Sequence, residues 1–318
     1  MKRTLFITGT ILLAACSSPS AEEPSEEMKT EVRENDPAEV RNLLKEYIEY
    51  LGSLDSTSEK SVSLATAKYE ELFSESDQKL CDSAFVEFHQ LYEKIEGVLN
   101  TTVYTGNEDL PCATYDEEGN ELPKDKRLVA LEKRVKKHGF RIECWEGYPG
   151  IAGERAYIAS HFYKYVSPEM KVFLEGLRKE RDHLLSVDAG ISMTEEQYAD
   201  RLVWWESFNR EHPDFILSKR ARAIQRYLFT YFLTGMDNTP AINYLTDDNG
   251  IERIELDSYF VKAYDYLNKK YPNSESNTLV KPYKMAVLKN DNAKRERLIN
   301  TYTKRGLMID FSKDWEEI

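Results

Sequence analysis

Apolar residues recur at helical spacing through most of the chain. Val40, Leu43, Leu44, Tyr47, Ile48 and Leu51 fall on one face of a helix, since positions three and four apart share a side of the 3.6-residue turn. Asp36-Pro37-Ala38-Glu39 opens that helix as a capping box with proline at its first position, and Gly52 marks its end. A second helix is expected over about residues 58–73. A third, opened by Ser76, carries Leu80, Ala84, Phe85, Phe88, Leu91, Tyr92, Ile95 and Leu99 on one stripe. Three such helices can close into a small antiparallel bundle spanning residues 36–100.

The pattern breaks over residues 101–152. Residues 101–104 are β-prone and residues 115–122 hold an acidic Gly-Asn turn, so a long loop and a hairpin both fit. Asp125 caps a helix that stops at Gly139, residues 140–145 read as a short strand, and a turn-rich stretch follows through Gly150. Helical signals return over residues 153–318. Ser167-Pro168 starts a helix reaching about residue 185, and Thr194-Glu195-Glu196-Gln197 is a second capping box with Met193 placed to staple onto Tyr198. Leu202, Trp205 and Phe208 continue its face until His212-Pro213. Further helices are expected over about 217–235, 257–271, 275–289 and 291–305. The fold class is therefore all-α: an antiparallel bundle or irregular helical array with one irregular insertion able to hold short strands.

The first eighteen residues have a different logic. Lys2 and Arg3 precede an uncharged, mostly apolar stretch from Leu5 to Ala15, long enough for the core of a secretory signal and too short to span a bilayer, which needs about 20 residues. It ends in Leu13-Ala14-Ala15-Cys16. This resembles the lipobox of bacterial lipoproteins, in which small residues precede a cysteine that is diacylated and exposed by cleavage. The resemblance implies a signal peptide over residues 1–15 and a lipidated Cys16 that holds the protein on a membrane of the cell envelope. Two or more acyl chains anchor stably where one does not. It also implies, from Ser17 in place of Asp, sorting to the outer membrane of a two-membrane cell. Residues 17–35 contain six glutamates and no aromatic residue, so they cannot bury enough apolar surface to order themselves. They form an acidic, disordered tether, residues 16–35, with a root-mean-square span of about 25 Å. Glu22, Glu23, Glu26 and Glu27 look like the acidic run that directs some lipoproteins to the cell surface; a solvated spacer is the other reading.

The formal charge is −13, and loss of the signal with Lys2 and Arg3 would leave about −15. Such a body repels nucleic acid and anionic headgroups on average, so nucleic acid is not an expected partner. Two basic runs go against this trend, seven residues from Lys126 to Arg141 and four from Lys219 to Arg226. Each reads first as the solvated face of a helix and second as an anion site. With Cys16 used by lipid, Cys81, Cys112 and Cys144 remain in an oxidising compartment. Cys81 lies on an apolar helix face, whereas Cys112 and Cys144 sit outside strong helical patterns and form the expected disulfide. No cysteine spacing suits a structural metal, and no metal or cofactor is expected.

Signatures of catalysis are scarce: GxSxG, HExxH and GxxxxGK[ST] are missing from the sequence. One cluster stands out. Glu143-Cys144-Trp145-Glu146-Gly147-Tyr148-Pro149-Gly150, with Glu154, Arg155 and Tyr157 beyond, sets carboxylates and aromatic rings in a loop-like setting. It reads as a structural loop, as a binding surface, or as a paired-carboxylate glycosidase site if the carboxylates stand about 5 to 9.5 Å apart. Glu143, Trp145, Glu146, Tyr148, Glu154, Arg155 and Tyr157 are the candidate partner-binding residues. The segment from Tyr259 to Leu288 resembles one helix pair of a tetratricopeptide array, turning at Tyr271-Pro272-Asn273-Ser274. The expectation is a membrane-anchored envelope lipoprotein whose body binds a protein, peptide or glycan partner. The alternative is a carbohydrate- or cell-wall-active hydrolase using carboxylates near Trp145.

Overall fold

The computed structural model describes residues 37–311 apart from 107–109, 114, 117, 146, 247–249 and 251, with the side chains of 37–40, 102–106 and 145 also left aside. The lipobox, the tether, the capping Asp36 and Glu146 therefore lie outside the described residues.

Helices dominate, as expected. α1 (Pro37–Ser53), α2 (Lys60–Phe73) and α3 (Gln78–Gly106) pack together. α4 (Lys126–Lys136) leads into the antiparallel hairpin β1 (Phe140–Trp145) and β2 (Tyr148–Gly153), and α5 (Arg155–Phe162) and α6 (Pro168–Asp182) follow. A small hairpin, β3 (Ser186–Val187) and β4 (Gly190–Ile191), precedes α7 (Glu195–Glu211) and α8 (Ser218–Thr234). Two more hairpins come next, β5 (Gly235–Met236) with β6 (Thr239–Pro240) and β7 (Ile242–Thr246) with β8 (Glu252–Leu256). α9 (Ser258–Lys270), α10 (Glu275–Leu288) and α11 (Asn292–Lys304) complete the order.

The helix starts follow from capping chemistry. Asp125, Ser167, Thr194, Asp257, Ser274 and Asp291 each accept a backbone N–H of the first turn, and the Thr194–Gln197 box is closed in both directions. One hydrophobic core runs from Tyr47 to Met308, with Trp205, Tyr198, Phe173, Phe162 and Phe85 among its fully buried rings.

Three local structures differ from the sequence expectation. The β-prone stretch 101–104 is helical, because α3 continues to Gly106. Just before it, Asn100 accepts the Ile151 N–H and donates to the Ile151 carbonyl, both at 2.6 Å. A helix side chain thus supplies β2 with the pairing of a neighbouring strand, and tertiary packing outweighs local propensity. Residues 154–157, where the helical signals return, are the cap and first turn of α5. The polar stretch 235–240 is a hairpin, and so is 242–256, where a helical region was expected. Gly235 lets the chain leave α8 and enter the first of these hairpins: its φ is +71°, and a Cβ there would lie 2.2 Å from the Ala241 nitrogen.

Candidate functional site

The candidate residues between 143 and 157 part company in three dimensions. Glu143, half-buried on β1, is ion-paired with Arg141 and lines a different cavity from Glu154 and Arg155, beside Cys144. Tyr148 is exposed on β2. Tyr157 turns toward α2, where its hydroxyl donates to Thr66 Oγ1 at 2.9 Å and its ring lies under Gly139. The Trp145 side chain and Glu146 lie outside the described residues. Cys112 and Cys144 are bridged, with Cα atoms 6.0 Å apart, and Cys81 is free and buried. Burial pushes the Cys81 thiol up to about 11, which keeps it protonated and unreactive at neutral pH.

Glu154 and Arg155 come together with residues that the sequence pattern assigned to helix faces. They form one wall of a cleft of about 530 Å³ whose other walls are α3 and α6, with Arg220 of α8 at its edge. Glu154 is the N-cap of α5 and accepts the Ala156 N–H, so the helix start fixes its place. Gly153 lets the wall approach α3: a Cβ there would stand 2.8 Å from the Tyr92 hydroxyl. Tyr92 donates to the Gly139 carbonyl and accepts from the Glu154 N–H at 2.8 Å, tying both ends of the hairpin to α3.

Five glutamates and four arginines line this cleft together with Ile158, Leu174, Leu177 and Leu184. Most are paired. Arg181 donates to Glu96 at 3.1 Å, Arg220 to Glu93 at 2.6 Å and Arg178 to Glu175 at 2.8 Å. Glu180 accepts from Trp205 Nε1 at 2.7 Å and from Arg201 at 3.2 Å. Burial raises the Glu96 carboxyl despite Arg181, and raises Glu180 despite Trp205 and Arg201. Burial also works to raise Glu93, but His89 and Arg220 outweigh it and lower that carboxyl to about 2.

Arg155 is different. Its two terminal nitrogens donate to the Leu174 and Leu177 carbonyls of α6, at 3.3 and 2.7 Å. Among the described residues it is the cleft guanidinium without a carboxylate in ion-pair contact. Burial, with Arg181 adding to it, lowers Arg155 to about 10, so it stays charged at neutral pH. A cation held by carbonyl dipoles on one side presents an uncompensated charge to an incoming oxyanion.

Among the described residues no group of three or more His, Cys, Asp and Glu side chains is placed to hold a metal ion, and no helix is long and apolar enough to cross a membrane. No protein-family model, curated protein or solved structure matches the chain.

Proposed function

We propose that this chain is a lipid-anchored protein of the bacterial cell envelope whose helical body binds a peptide-bearing partner in the cleft of α3, α5 and α6. The observation that carries the binding reading is Arg155, a half-buried guanidinium with carbonyl partners and, among the described residues, no carboxylate in contact. A carboxylate of the partner, from a chain end or an acidic side chain, complements it. The alternating charges around it suit the N–H, carbonyl and ionised groups of a peptide better than an uncharged glycan. The apolar walls at Ile158, Leu174 and Leu177 supply contact area. The lipobox resemblance carries the anchoring.

The test is calorimetric titration of the chain with a mixed hexapeptide library, with muropeptides and with chito-oligosaccharides. Saturable binding of peptide-bearing ligands that Arg155→Gln weakens by about tenfold, one charge-assisted contact, is the expected result. Binding of the oligosaccharide alone, or binding indifferent to Arg155, contradicts it.

Hydrolysis is the second reading, and one observation favours it. Glu93 and Glu96, one turn apart on α3 in the same cleft, have carboxyls displaced in opposite directions, the arrangement that separates a proton donor from a charged partner. Of the carboxylates first singled out near Trp145, Glu154 shares this cleft and Glu143 does not. Release of reducing ends from cell-wall glycan, lost in Glu96→Gln, would establish it.

A further inference from the structure

The basic run on α8 lines a separate cavity of about 780 Å³ between α7, α8 and α10. Arg210, Lys219, Arg222 and Arg226 bring four positive charges to it, against the carboxylates of Glu206 and Glu275. Glu206 is already committed. It is 5 % exposed, and its two oxygens accept the N–H groups of Glu275 and Ser276 at 2.8 and 2.9 Å and the Ser276 hydroxyl at 2.7 Å. Its charge therefore answers the N-terminus of α10, which is closed to any other anion. Arg210 pairs with Glu211 at 3.4 Å and stands 3.9 Å from Glu206. Arg222 donates to the Ser218 hydroxyl at 3.1 Å, and neither it nor Lys219 has a carboxylate in ion-pair range among the described residues. In a chain of net charge −13, a cavity with an excess of cations is a local reversal of sign. On the same helix Arg220 faces the other way and is satisfied by Glu93.

The remaining walls choose the kind of anion. Phe229, Leu279 and Leu307 give the cavity an apolar side, and its volume falls within the range that takes small organic ligands and exceeds what a bare oxyanion fills. Asn209 is spent on Gln225 at 2.7 Å. We propose that this cavity binds a phosphate-type oxyanion carried on an apolar body, with Lys219 and Arg222 meeting the oxyanion and Phe229, Leu279 and Leu307 meeting the body. The site is independent of the cleft at Arg155.

The experiment uses the full chain carrying Cys16→Ala and measures calorimetric binding of dihexanoyl phosphatidic acid, inorganic phosphate and dihexanoyl glycerol. The phosphatidate binds saturably, and tighter than either of the others by at least about tenfold. Lys219→Gln with Arg222→Gln weakens it by at least about tenfold, whereas Lys133→Gln with Lys136→Gln on α4, a change of equal charge elsewhere, leaves it unchanged. Lys219 and Arg222 are both exposed, so the melting temperature stays at the wild-type value; Arg222→Glu alone repeats the loss. Co-sedimentation with phosphatidate vesicles assigns the anion to a membrane headgroup, and binding of the short ester without co-sedimentation assigns it to a soluble phosphate ester. Equal loss in both double variants, no saturable binding, or inorganic phosphate binding as tightly as the ester overturns the proposal.

Discussion

Arg220 Nη2 lies 2.6 Å from Glu93 Oε1, a link between α8 and α3 across 127 residues of chain. His89 Nδ1 approaches the other oxygen of the same carboxylate at 3.4 Å. The carboxyl is lowered from 4.5 to about 2. Because the folded value lies below the unfolded one, the link stabilises above about pH 4.5 and is lost as the pH falls toward 2. The Glu93 side chain is 44 % exposed, so solvent screening reduces the contribution to about 1 kcal/mol. Urea denaturation of Glu93→Gln should show that deficit at pH 7 and none at pH 2. An equal deficit at both would mean the pair contributes nothing that depends on charge.

Glu206 should matter more. Glu206→Ala removes a buried acceptor from two N–H groups and a hydroxyl, which costs about 3 kcal/mol because the stranded donors stay away from water. Glu206→Gln keeps one oxygen and should lose about half as much. Thermal unfolding by circular dichroism ranks the two, and an unchanged alanine variant refutes the capping role.

Gly235→Ala combines a positive φ with a Cβ placed against the backbone of Ala241. The expected loss is about 2 kcal/mol or more. Helix propensity does not offset it, since the residue lies beyond the end of α8. A variant as stable as wild type would show that β5 and β6 turn in another way.

Cys16→Ala tests the anchor. Radiolabelled fatty acid should be absent from the variant, which should accumulate with its leader attached. Label still present in that protein would refute lipidation at this cysteine.

The helical framework was legible because its signals are local. Asp125, Ser167, Thr194 and Asp257 cap helices where the sequence places them, and the stripes on α3 and α7 are the buried faces. Strand pairing was read less well. Ile254 and Leu256 alternate with Arg253 and Glu255 after an acidic turn, a period of two that betrays β8, but five residues compete poorly with long helical stripes on either side. The end of α3 was misread because Asn100 pairs with Ile151, fifty-one positions away. The cleft was only half visible for a similar reason. Glu154 and Arg155 were singled out by type, whereas Glu93, Glu96 and Arg181 looked like ordinary solvent-facing positions of helices. What would have found them is the count of carboxylates on the α3 stripe edge, at positions 93 and 96, beside the buried Tyr92.

The bridge between Cys112 and Cys144 closes a loop of 32 positions that contains all of α4. Loop closure of this size is worth roughly 3 to 4 kcal/mol in the chain-entropy model. It also decides what a protease can accomplish. One cut anywhere from 113 to 143 yields two polypeptides that remain a single molecule, with the carboxyl-terminal piece still tethered to whatever holds the amino terminus. Its Cys112 N–H also bonds the Gly147 carbonyl at 2.8 Å, which holds the flanks of the nick in register. A nicked sample should therefore run as intact protein on a non-reducing gel and fall into two bands only after thiol is added.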